Sequence, residues 1–341
     1  MLRLTDGSLD VPVIGAPMAG GPTTPALAAA VSEAGGLGFL AAGYKTAEAL
    51  EAEIAAVRTA TVRPFGVNLF YPTRDEVDEA AIAAYAESMR GEEERYDVSV
   101  GVPEWSDDGW EAKLAVVARE RPDVVSFTFG CPEPETVASL RGLDIAVWQT
   151  VTSPAEAQVA LAAGVEALVL QGGEAGGHQG SFRQHDDEPL STLTLLQLVA
   201  ATTDRPLVAA GGIATAAGIA AALRAGAAAA QIGTGLMLAA EAGTSEPHRQ
   251  ALRGQAPTRL TRAFSGRRAR GIVNRFMREH DADAPAAYPE IHYLTAPLRA
   301  RARGLGDTGG INLWAGQAHH LAVEAAAGEI IERWQFDLAR L

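Results

Sequence analysis

The chain is short of cysteine, lysine and long apolar runs, and each shortage excludes something. Its one cysteine, Cys131, rules out a disulfide within the chain and a metal site built from several cysteines. No run of 18 apolar residues is free of glycine or polar breaks, so a membrane span is not expected. Residues 1–7 lack the apolar segment of a secretory signal, which makes a cytoplasmic location the expectation.

Positive charge is also scarce. Asp and Glu number 42 against 28 Lys and Arg, which gives a formal net charge of −14 at pH 7. A negative surface repels phosphate backbones and anionic lipids, so neither nucleic acid nor a membrane surface is an expected partner. Lys45 and Lys113 are the only lysines, and any anion site must therefore rest mainly on arginine.

Eight short apolar runs are rich in Val, Leu, Ile and Phe and show little polar alternation. Strands that are buried on both faces have this pattern, which favours a parallel sheet. The predicted strands are 11–15, 37–42, 65–70, 124–129, 146–151, 167–170, 206–210 and 229–232.

Helix signals fill the gaps between these strands. Ser153 is a predicted N-cap, Pro154 the first helical residue, and Glu156 closes a capping box. The helix is predicted to end at Ala163, with Gly164 in the left-handed position that follows. The same Ala-Gly pair precedes predicted strands at 34–35 and 225–226. This repetition predicts a chain of βα units, and eight such units close a barrel.

The predicted fold class is therefore α/β, a TIM (β/α)8 barrel with additions. We assign residues 1–70 and 124–240 to the barrel. The stretch 71–123 is too long for one crossover helix and is predicted to be an insertion after the third strand. Residues 241–341 are predicted to be mainly helical and to form a cap that contributes to substrate binding.

Barrel enzymes place their sites at the carboxyl ends of the strands, so the residues that follow each strand carry the functional argument. Gly211-Gly212 and Gly233 follow the last two strands, where glycine turns commonly hold a phosphate, although they could also simply turn a crowded chain. His178 ends a glycine-rich loop after the sixth strand. It could donate a hydrogen bond to an anion or act as a general base. Glu174 is expected to orient that loop.

Other reactive side chains are weaker candidates, and no metal site is expected. Cys131 has no base tied to it, and His248 is expected to be exposed. The run 185–188 (His-Asp-Asp-Glu) is interpreted as a solvated loop, because consecutive residues rarely ligate one ion well. His319 and His320 form an equally weak pair.

Several motifs point together to one family. They are Ala-Pro-Met-Ala-Gly at 16–20, Val-Ser-Phe-Thr-Phe-Gly at 125–130, Gln-Gly-Gly-Glu-Ala-Gly-Gly-His-Gln-Gly at 171–180, Ala-Ala-Gly-Gly-Ile at 209–213, Gln-Ile-Gly-Thr at 231–234 and Trp-Ala-Gly-Gln at 314–317. Over nearly its whole length the chain resembles the class I nitronate monooxygenases, formerly called 2-nitropropane dioxygenases.

The resemblance implies an FMN-containing barrel. It would oxidise alkyl nitronates of the propionate 3-nitronate type with O2 to a carbonyl compound and nitrite, through one-electron transfer to the flavin. His178 would be the active-site histidine, donating a hydrogen bond to a nitronate that arrives already deprotonated. The implied FMN contacts are Met18, Asn68, Gln171, Gly176, Gly212, Gln231, Ile232, Gly233 and Thr234.

The implied substrate contacts are Tyr288 and Tyr293. The family also uses a lysine from its C-terminal part, which is absent here, and Arg299 and Arg301 are the candidates to replace it. The implied partners are a small anionic nitro or nitronate compound and O2. A homodimer is one candidate assembly.

Two alternatives stay open. The Glu-Ala-Gly-Gly-His loop also occurs in FMN-dependent enoyl-acyl-carrier-protein reductases, so an NAD(P)H-dependent enoyl or quinone reductase is the second hypothesis. A non-catalytic flavin or phosphometabolite binder is the third. The segments 125–130 and 314–317 favour the monooxygenase.

Overall fold

The computed structural model describes residues 9–184 and 186–341. Eight parallel strands lie in one sheet in the order β1-β9-β8-β6-β5-β4-β3-β2, and a parallel bridge between Ile14 and Leu37 joins its two edges. The strands are β1 (Val13–Gly15), β2 (Gly38–Ala41), β3 (Phe65–Phe70), β4 (Val124–Thr128), β5 (Ala146–Val151), β6 (Ala167–Gln171), β8 (Leu207–Ala210) and β9 (Ala229–Ile232). Three further short strands, β7 (Gly177–His178), β10 (Thr258–Thr261) and β11 (Ala269–Ile272), form a separate antiparallel sheet.

The TIM-barrel prediction is confirmed, and each predicted strand is present with its ends shifted by two residues at most. The physical reason is burial on both faces. Inside the barrel, Phe39 and Trp148 pack with their ring centroids 5.7 Å apart. Outside it, a second apolar cluster fills the space between strands and helices. The strands therefore need apolar side chains at almost every position.

The helices in chain order are α1 (Pro25–Glu33), α2 (Ala47–Ala60), α3 (Glu79–Ser88), α4 (Arg90–Tyr96), α5 (Trp110–Glu120), α6 (Pro134–Arg141), α7 (Pro154–Ala162), α8 (Thr192–Ala200), α9 (Ala216–Arg224), α10 (Glu246–Leu252), α11 (Arg275–His280), α12 (Glu290–Leu305) and α13 (Ala327–Leu338). None of the described helices is both long enough and apolar enough to cross a bilayer.

Helix α7 begins as predicted and ends at Ala162, one residue before the predicted end, with one change in its N-terminal cap. Ser153 Oγ accepts from the Glu156 amide (3.2 Å), and Gly164 has a φ of +88°. The Glu156 carboxylate accepts from the Thr152 amide (2.6 Å) instead of closing a box on the cap residue itself. Its second oxygen accepts from the Phe182 amide (2.7 Å), so this side chain also holds the chain that follows β6.

Two helices assigned above to the additions pack on the barrel. Val116 and Val117 of α5 are buried in the outer barrel cluster, so the part of the insertion that leaves the barrel is 71–109. Near the end of the chain, α13 packs between α1 and α9 through Ile331 and Trp334. It therefore occupies the place of the eighth barrel helix.

The segment 236–326 lies between the last barrel strand and α13, and we call it the cover. In the cover, β11 pairs antiparallel with β10 and with β7, which belongs to the loop after β6. The insertion helices α3 and α4 pack on the cover through Tyr85 and Tyr96, which share an apolar cluster with Phe264 and Phe276.

Candidate active site

A cavity of about 510 Å³ lies between the carboxyl ends of the barrel strands and the cover. Pockets that bind small molecules and cofactors measure roughly 300–1,000 Å³. Most of the predicted site residues line this cavity: Met18, Asn68, Gln171, Gly176, His178, Gly212, Gln231, Gly233 and Thr234. Ile232 differs from them, because its side chain is fully buried in the apolar cluster beneath α13.

Glycine turns follow the last two barrel strands. Gly212 has a φ of +70°, and a Cβ there would lie 3.0 Å from the Cβ of Glu174. A Cβ on Gly233 would lie 3.5 Å from the Met18 sulfur. Helix α9 begins just after the first turn, and a short 3-10 turn begins at Thr234. Backbone amides at helix starts in these two places form the usual phosphate site of such barrels.

Asn68 lies at the end of β3 and is 3% exposed. Its Nδ2 donates to Ser126 Oγ (2.9 Å) and to Thr128 Oγ1 (3.0 Å), which fixes the orientation of the amide. Its Oδ1 has no donor among the described residues. A ligand in the cavity therefore meets a fixed hydrogen-bond acceptor at this point of the wall.

Gln171 lines the cavity but uses both ends of its amide on the histidine loop. Its Nε2 donates to the His178 carbonyl oxygen (3.1 Å), and its Oε1 accepts from the Gly180 amide (2.7 Å). The residue predicted as a cofactor contact thus also fixes the backbone on both sides of the candidate catalytic histidine.

The cover holds the same loop from its other side. His178 pairs with Ala269 across the β7–β11 ladder, and Arg270 Nε donates to the Gly173 carbonyl oxygen (2.6 Å). A Cβ on Gly176 would lie 2.5 Å from the Ala315 carbonyl carbon, so only glycine allows this close approach. The glycine-rich loop after β6 is therefore tied to the cover along much of its length.

The hydrogen bonds around His178 define its tautomer. Ser265 Oγ donates its single hydrogen to the Arg267 carbonyl oxygen (3.2 Å). The Nε2 atom of His178 lies 2.8 Å from the same Oγ. Both contacts are hydrogen bonds at the same time only when Nε2 carries the proton and donates it, so we infer the Nε2-protonated tautomer. Nδ1 has no partner among the described residues and keeps its lone pair.

His178 is neutral as well as oriented. Burial, and then the charges of Arg267 and Arg299, lower the pKa of His178 to about 3. In the inferred tautomer the ring donates to Ser265, whereas the family resemblance predicted that it donates to a substrate. At neutral pH the ring therefore offers a ligand an acceptor, which is the property of a general base.

Arg299, on α12, is a buried cation that faces the cavity and is 7% exposed. Its Nε donates to Thr295 Oγ1 (3.0 Å) and its Nη2 to the His292 carbonyl oxygen (2.6 Å). Within the described chain no carboxylate pairs with it. Burial lowers the pKa of Arg299 to about 10, so the group stays cationic at neutral pH. Burying an unpaired charge is costly, which marks this guanidinium as a place for an anion.

The other arginine candidate lies elsewhere. Arg301 is exposed and donates to the Tyr96 carbonyl oxygen (3.2 Å), on the side of α12 that faces the insertion. Only Arg299 of these two residues reaches the cavity.

The two predicted substrate tyrosines line a smaller neighbouring cavity and do not line the main one. Tyr288 lies next to the site: its ring centroid is 5.5 Å from that of His178, and its hydroxyl is 2.9 Å from the Tyr44 hydroxyl. Tyr44 lines the main cavity and stacks on His292 at 4.1 Å. Tyr293 lies further away, with its ring 5.3 Å from His292.

Sequence reasoning missed several residues of this site, among them Tyr44, Ser265, His292 and Trp314. Tyr44 could have been found, because it follows β2 at the carboxyl end of a barrel strand. Ser265, His292 and Trp314 come from the cover, where no strand-end rule applies. Their positions depend on how the cover folds back onto the barrel.

The groups away from the cavity have structural partners. Glu92, Glu279 and His280 lie close enough to hold a metal ion, but Arg275 donates to both carboxylates. Burial opposes ionisation of Glu92, yet hydrogen bonds from His280 and Arg275 lower its pKa to about 2. The cluster is thus an ion-pair network that joins the insertion to the cover.

The remaining candidates also have local roles. The prediction that His248 is exposed is wrong: it is buried, lines the cavity and lies 2.9 Å from the Trp314 carbonyl oxygen. His319 is buried between two backbone carbonyls of the cover. Burial, and then Glu133, raise the pKa of the Cys131 thiol to about 11. His185 lies outside the described residues, and Asp186 pairs with Arg262 at 2.8 Å.

Comparison with known proteins decides the family. The family model described as "Nitronate monooxygenase" matches residues 3–335. The chain belongs to the nitronate monooxygenase family. It is 40% identical to the nitronate monooxygenase of Pseudomonas aeruginosa over 94% of both chains. It is 39% identical to that of Paraburkholderia phytofirmans, over 97% of this chain and 93% of the relative. The resemblance inferred from the motifs is confirmed, and with it the assignment of the chain as an oxidoreductase.

Solved structures agree with this placement. A nitroalkane oxidase from Streptomyces ansochromogenes superposes with a TM-score of 0.96 at 47% identity, over 99% of this chain and 98% of that one. FabK from Thermotoga maritima is a more distant neighbour, with a TM-score of 0.77 at 26% identity over 100% and 97% of the two chains.

The nitronate monooxygenase family is a family of flavoenzymes, and the cavity fits such a cofactor. Gly212 and Gly233 line the cavity with backbone alone, at the place where barrels bind phosphate. Asn68 Oδ1 presents an acceptor without a protein partner to the same cavity. The two features match the two ends of a flavin nucleotide, an anionic phosphate and a ring system with a hydrogen-bond donor.

Proposed function

We propose that this chain oxidises small alkyl nitronates with O2 and uses FMN as its cofactor. In the balanced reaction two nitronate anions and one O2 give two carbonyl compounds and two nitrite ions. The family assignment supports this reaction type. The anionic substrate is supported by the arrangement of charge in the cavity.

The observation that carries the proposal is the unpaired Arg299 guanidinium in the same cavity as the glycine turns and His178. A chain with net charge −14 does not attract anions over its whole surface. It needs a local cation, and within the cavity Arg299 is buried, fixed by Thr295 and His292, and has no carboxylate partner among the described residues. It takes the role that the family gives to a C-terminal lysine.

We infer that Gly212, Gly233 and Thr234 would hold the FMN phosphate and that Asn68 would accept a hydrogen bond from the flavin. Once bound, FMN would supply one-electron redox chemistry between the nitronate and O2. The protein supplies binding and orientation. Arg299 holds the substrate anion, and the aromatic side chains of Phe264 and Trp314 line the cavity and reduce the water around it.

The likeness to FabK favours a second candidate, an FMN-dependent reductase that uses NAD(P)H. It is the weaker one, because the likeness is distant. Anaerobic mixing of the flavin-loaded protein with NADH and with NADPH distinguishes the two. Rapid bleaching of the flavin would support the reductase, and a flavin that stays oxidised would support the monooxygenase.

The test of the main proposal has two steps. The absorption spectrum of the protein after incubation with FMN and removal of free FMN should show bound flavin. Nitrite and O2 uptake should then be measured with propionate 3-nitronate and ethyl nitronate, and the expected ratio is two nitrite ions for each O2. A protein that binds no flavin, or that releases no nitrite from either nitronate, would overturn the proposal.

A further inference from the structure

The histidine of the active site has an unusual neighbour. Ser265 is 1% exposed, comes from the cover, and lies 2.8 Å from His178 Nε2. When its hydroxyl hydrogen is donated to the Arg267 carbonyl oxygen (3.2 Å), the serine accepts from the ring. A hydroxyl that is free to rotate would suit either tautomer of the histidine, whereas this one suits the Nε2-protonated form.

The position of Ser265 is itself fixed from several sides. The Arg267 guanidinium donates to the carbonyl oxygens of Gln179 and Ser181, on the far side of the histidine loop. The Phe264 carbonyl oxygen, next to Ser265 in the chain, accepts from Thr295 Oγ1 on α12 (2.5 Å). The backbone around the hydroxyl is therefore tied both to the loop and to the helix that carries Arg299.

We propose that Ser265 is a positioning residue, which holds His178 in the Nε2-protonated tautomer and so reserves Nδ1 to accept the proton of a neutral nitroalkane. In that step the Cα–H bond of the nitroalkane breaks and its electron pair moves onto the nitro group. The proton goes to Nδ1, and the resulting imidazolium keeps its Nε2–H bond to Ser265. The product is the nitronate that the proposed function consumes, so the inference rests on that function.

The charged and titratable groups around the ring fit this role. Arg267 precedes β11, Tyr288 precedes α12, and His292 and Arg299 lie on α12. No carboxylate among the described residues shifts the pKa of His178. A nearby carboxylate would stabilise a permanent imidazolium. The two guanidinium groups instead keep the ring neutral until an anion forms beside it, and the newly formed nitronate is such an anion.

The direct test is the tautomer of His178, measured by 15N NMR on histidine-labelled protein loaded with FMN. The wild-type ring should show a protonated Nε2 and an unprotonated Nδ1 at pH 7. This measurement needs no turnover, so it stays informative even if the proposed reaction is wrong. A protonated Nδ1 in the wild type would overturn the inference by itself.

Three variants separate positioning from a merely structural effect. Ser265→Ala removes the acceptor and should leave a mixture of tautomers, while Ser265→Thr keeps the hydroxyl and should keep the wild-type pattern. Ser32→Ala is the matched control. Ser32 is fully buried, donates to the Pro64 carbonyl oxygen (2.8 Å) and accepts from the Gly38 amide (3.0 Å), but it does not line the cavity.

The loss of the Nε2-protonated tautomer should lower kcat/KM for a neutral substrate. For Ser265→Ala we expect kcat/KM for nitroethane to fall about tenfold or more, and kcat/KM for preformed ethyl nitronate to fall less than about threefold, because only the neutral substrate needs the base. An equal loss with both substrates, or a Nε2-protonated ring with unchanged rates, would overturn the inference. Absence of nitrite from ethyl nitronate in the wild type would instead contradict the proposed function.

Discussion

The two walls of the cavity are built in different ways. The barrel wall consists of strand ends and the glycine turns that follow them, and its residues come from all eight βα units. The cover wall comes from one continuous excursion between β9 and α13. The barrel wall offers glycine backbone and two fixed amides, whereas the cover supplies the cations Arg299 and Arg303 and the hydroxyl of Ser265. Both walls contribute aromatic rings.

The difference in construction between the two walls corresponds to a division between cofactor binding and substrate binding. The barrel wall has the features of a cofactor site, which needs space and backbone amides. The cover has the features of a substrate site, because it carries charge into the cavity and fixes the proton on His178. His178 belongs to both walls, since its loop follows β6 and pairs with β11. Substitutions on the two walls should therefore have different signatures.

The largest effect is expected where the two walls meet. His178→Asn should lower kcat/KM for nitroethane by about 10²- to 10⁴-fold, the usual contribution of a general base.

The pH dependence of the wild type gives a second prediction for the same residue. Because the pKa of His178 is about 3, the wild-type kcat/KM for nitroethane should not fall through protonation of His178 between pH 8 and pH 5. O2 uptake and nitrite release measure both effects, and the exposed His320→Asn serves as control. Unchanged nitrite release by His178→Asn from preformed nitronate and from nitroethane alike would remove His178 from any essential role.

The next effect tests the cover alone. Arg299→Met should raise KM for propionate 3-nitronate by about tenfold or more, because a charge-assisted hydrogen bond to an anion contributes about 1.5–3 kcal/mol. Flavin content should stay unchanged, since Arg299 belongs to the cover wall. The matched control is Arg301→Met, on the same helix and outside the cavity. Equal effects of the two variants on KM would mean that Arg299 is not the anion site.

The barrel wall was largely predictable from the sequence and the cover was not. Strand ends can be recognised because buried parallel strands have continuous apolar runs, and Gly212, Gly233 and His178 follow such runs directly. Ser265 and His292 lie in a segment without that repeat, and they reach the cavity through tertiary packing. Even α13 was assigned to the cap region, because a helix pattern does not show that the helix returns to pack between α1 and α9. Tyr44 was missed although the strand-end rule covers it.

A smaller effect is expected for the barrel wall. Gly212→Ala places a Cβ at a φ of +70°, 3.0 Å from the Glu174 Cβ. The left-handed conformation costs an alanine about 1–2 kcal/mol. A turn that relaxes in the flavin-free protein must regain this conformation to bind FMN, so the Kd for FMN should rise about five- to thirtyfold. Fluorescence titration of the flavin-free protein measures it, and KM for the nitronate at saturating FMN should not change. Gly91→Ala, where a Cβ meets nothing within 4 Å, is the control. Loss of substrate affinity without loss of FMN affinity would contradict the division between the walls.

The smallest effect concerns how the cover is attached. Glu92 accepts from Arg275 and joins α4 of the insertion to α11 of the cover. Its pKa is lowered from 4.5 to about 2, so its contribution to stability is present above pH 4.5 and is lost as the pH falls toward 2. Glu92→Gln should lower the free energy of unfolding by about 1–2 kcal/mol at pH 7, with a smaller difference at pH 3.5. Urea unfolding measures the free energy of unfolding, with the exposed Glu94→Gln as control.

Hydrogen exchange shows where the same substitution acts. In Glu92→Gln, amide hydrogen exchange should rise in α4 and α11 while the barrel strands stay protected, because the barrel core does not depend on this ion pair. Faster exchange throughout the barrel would instead mean that barrel and cover unfold as one unit.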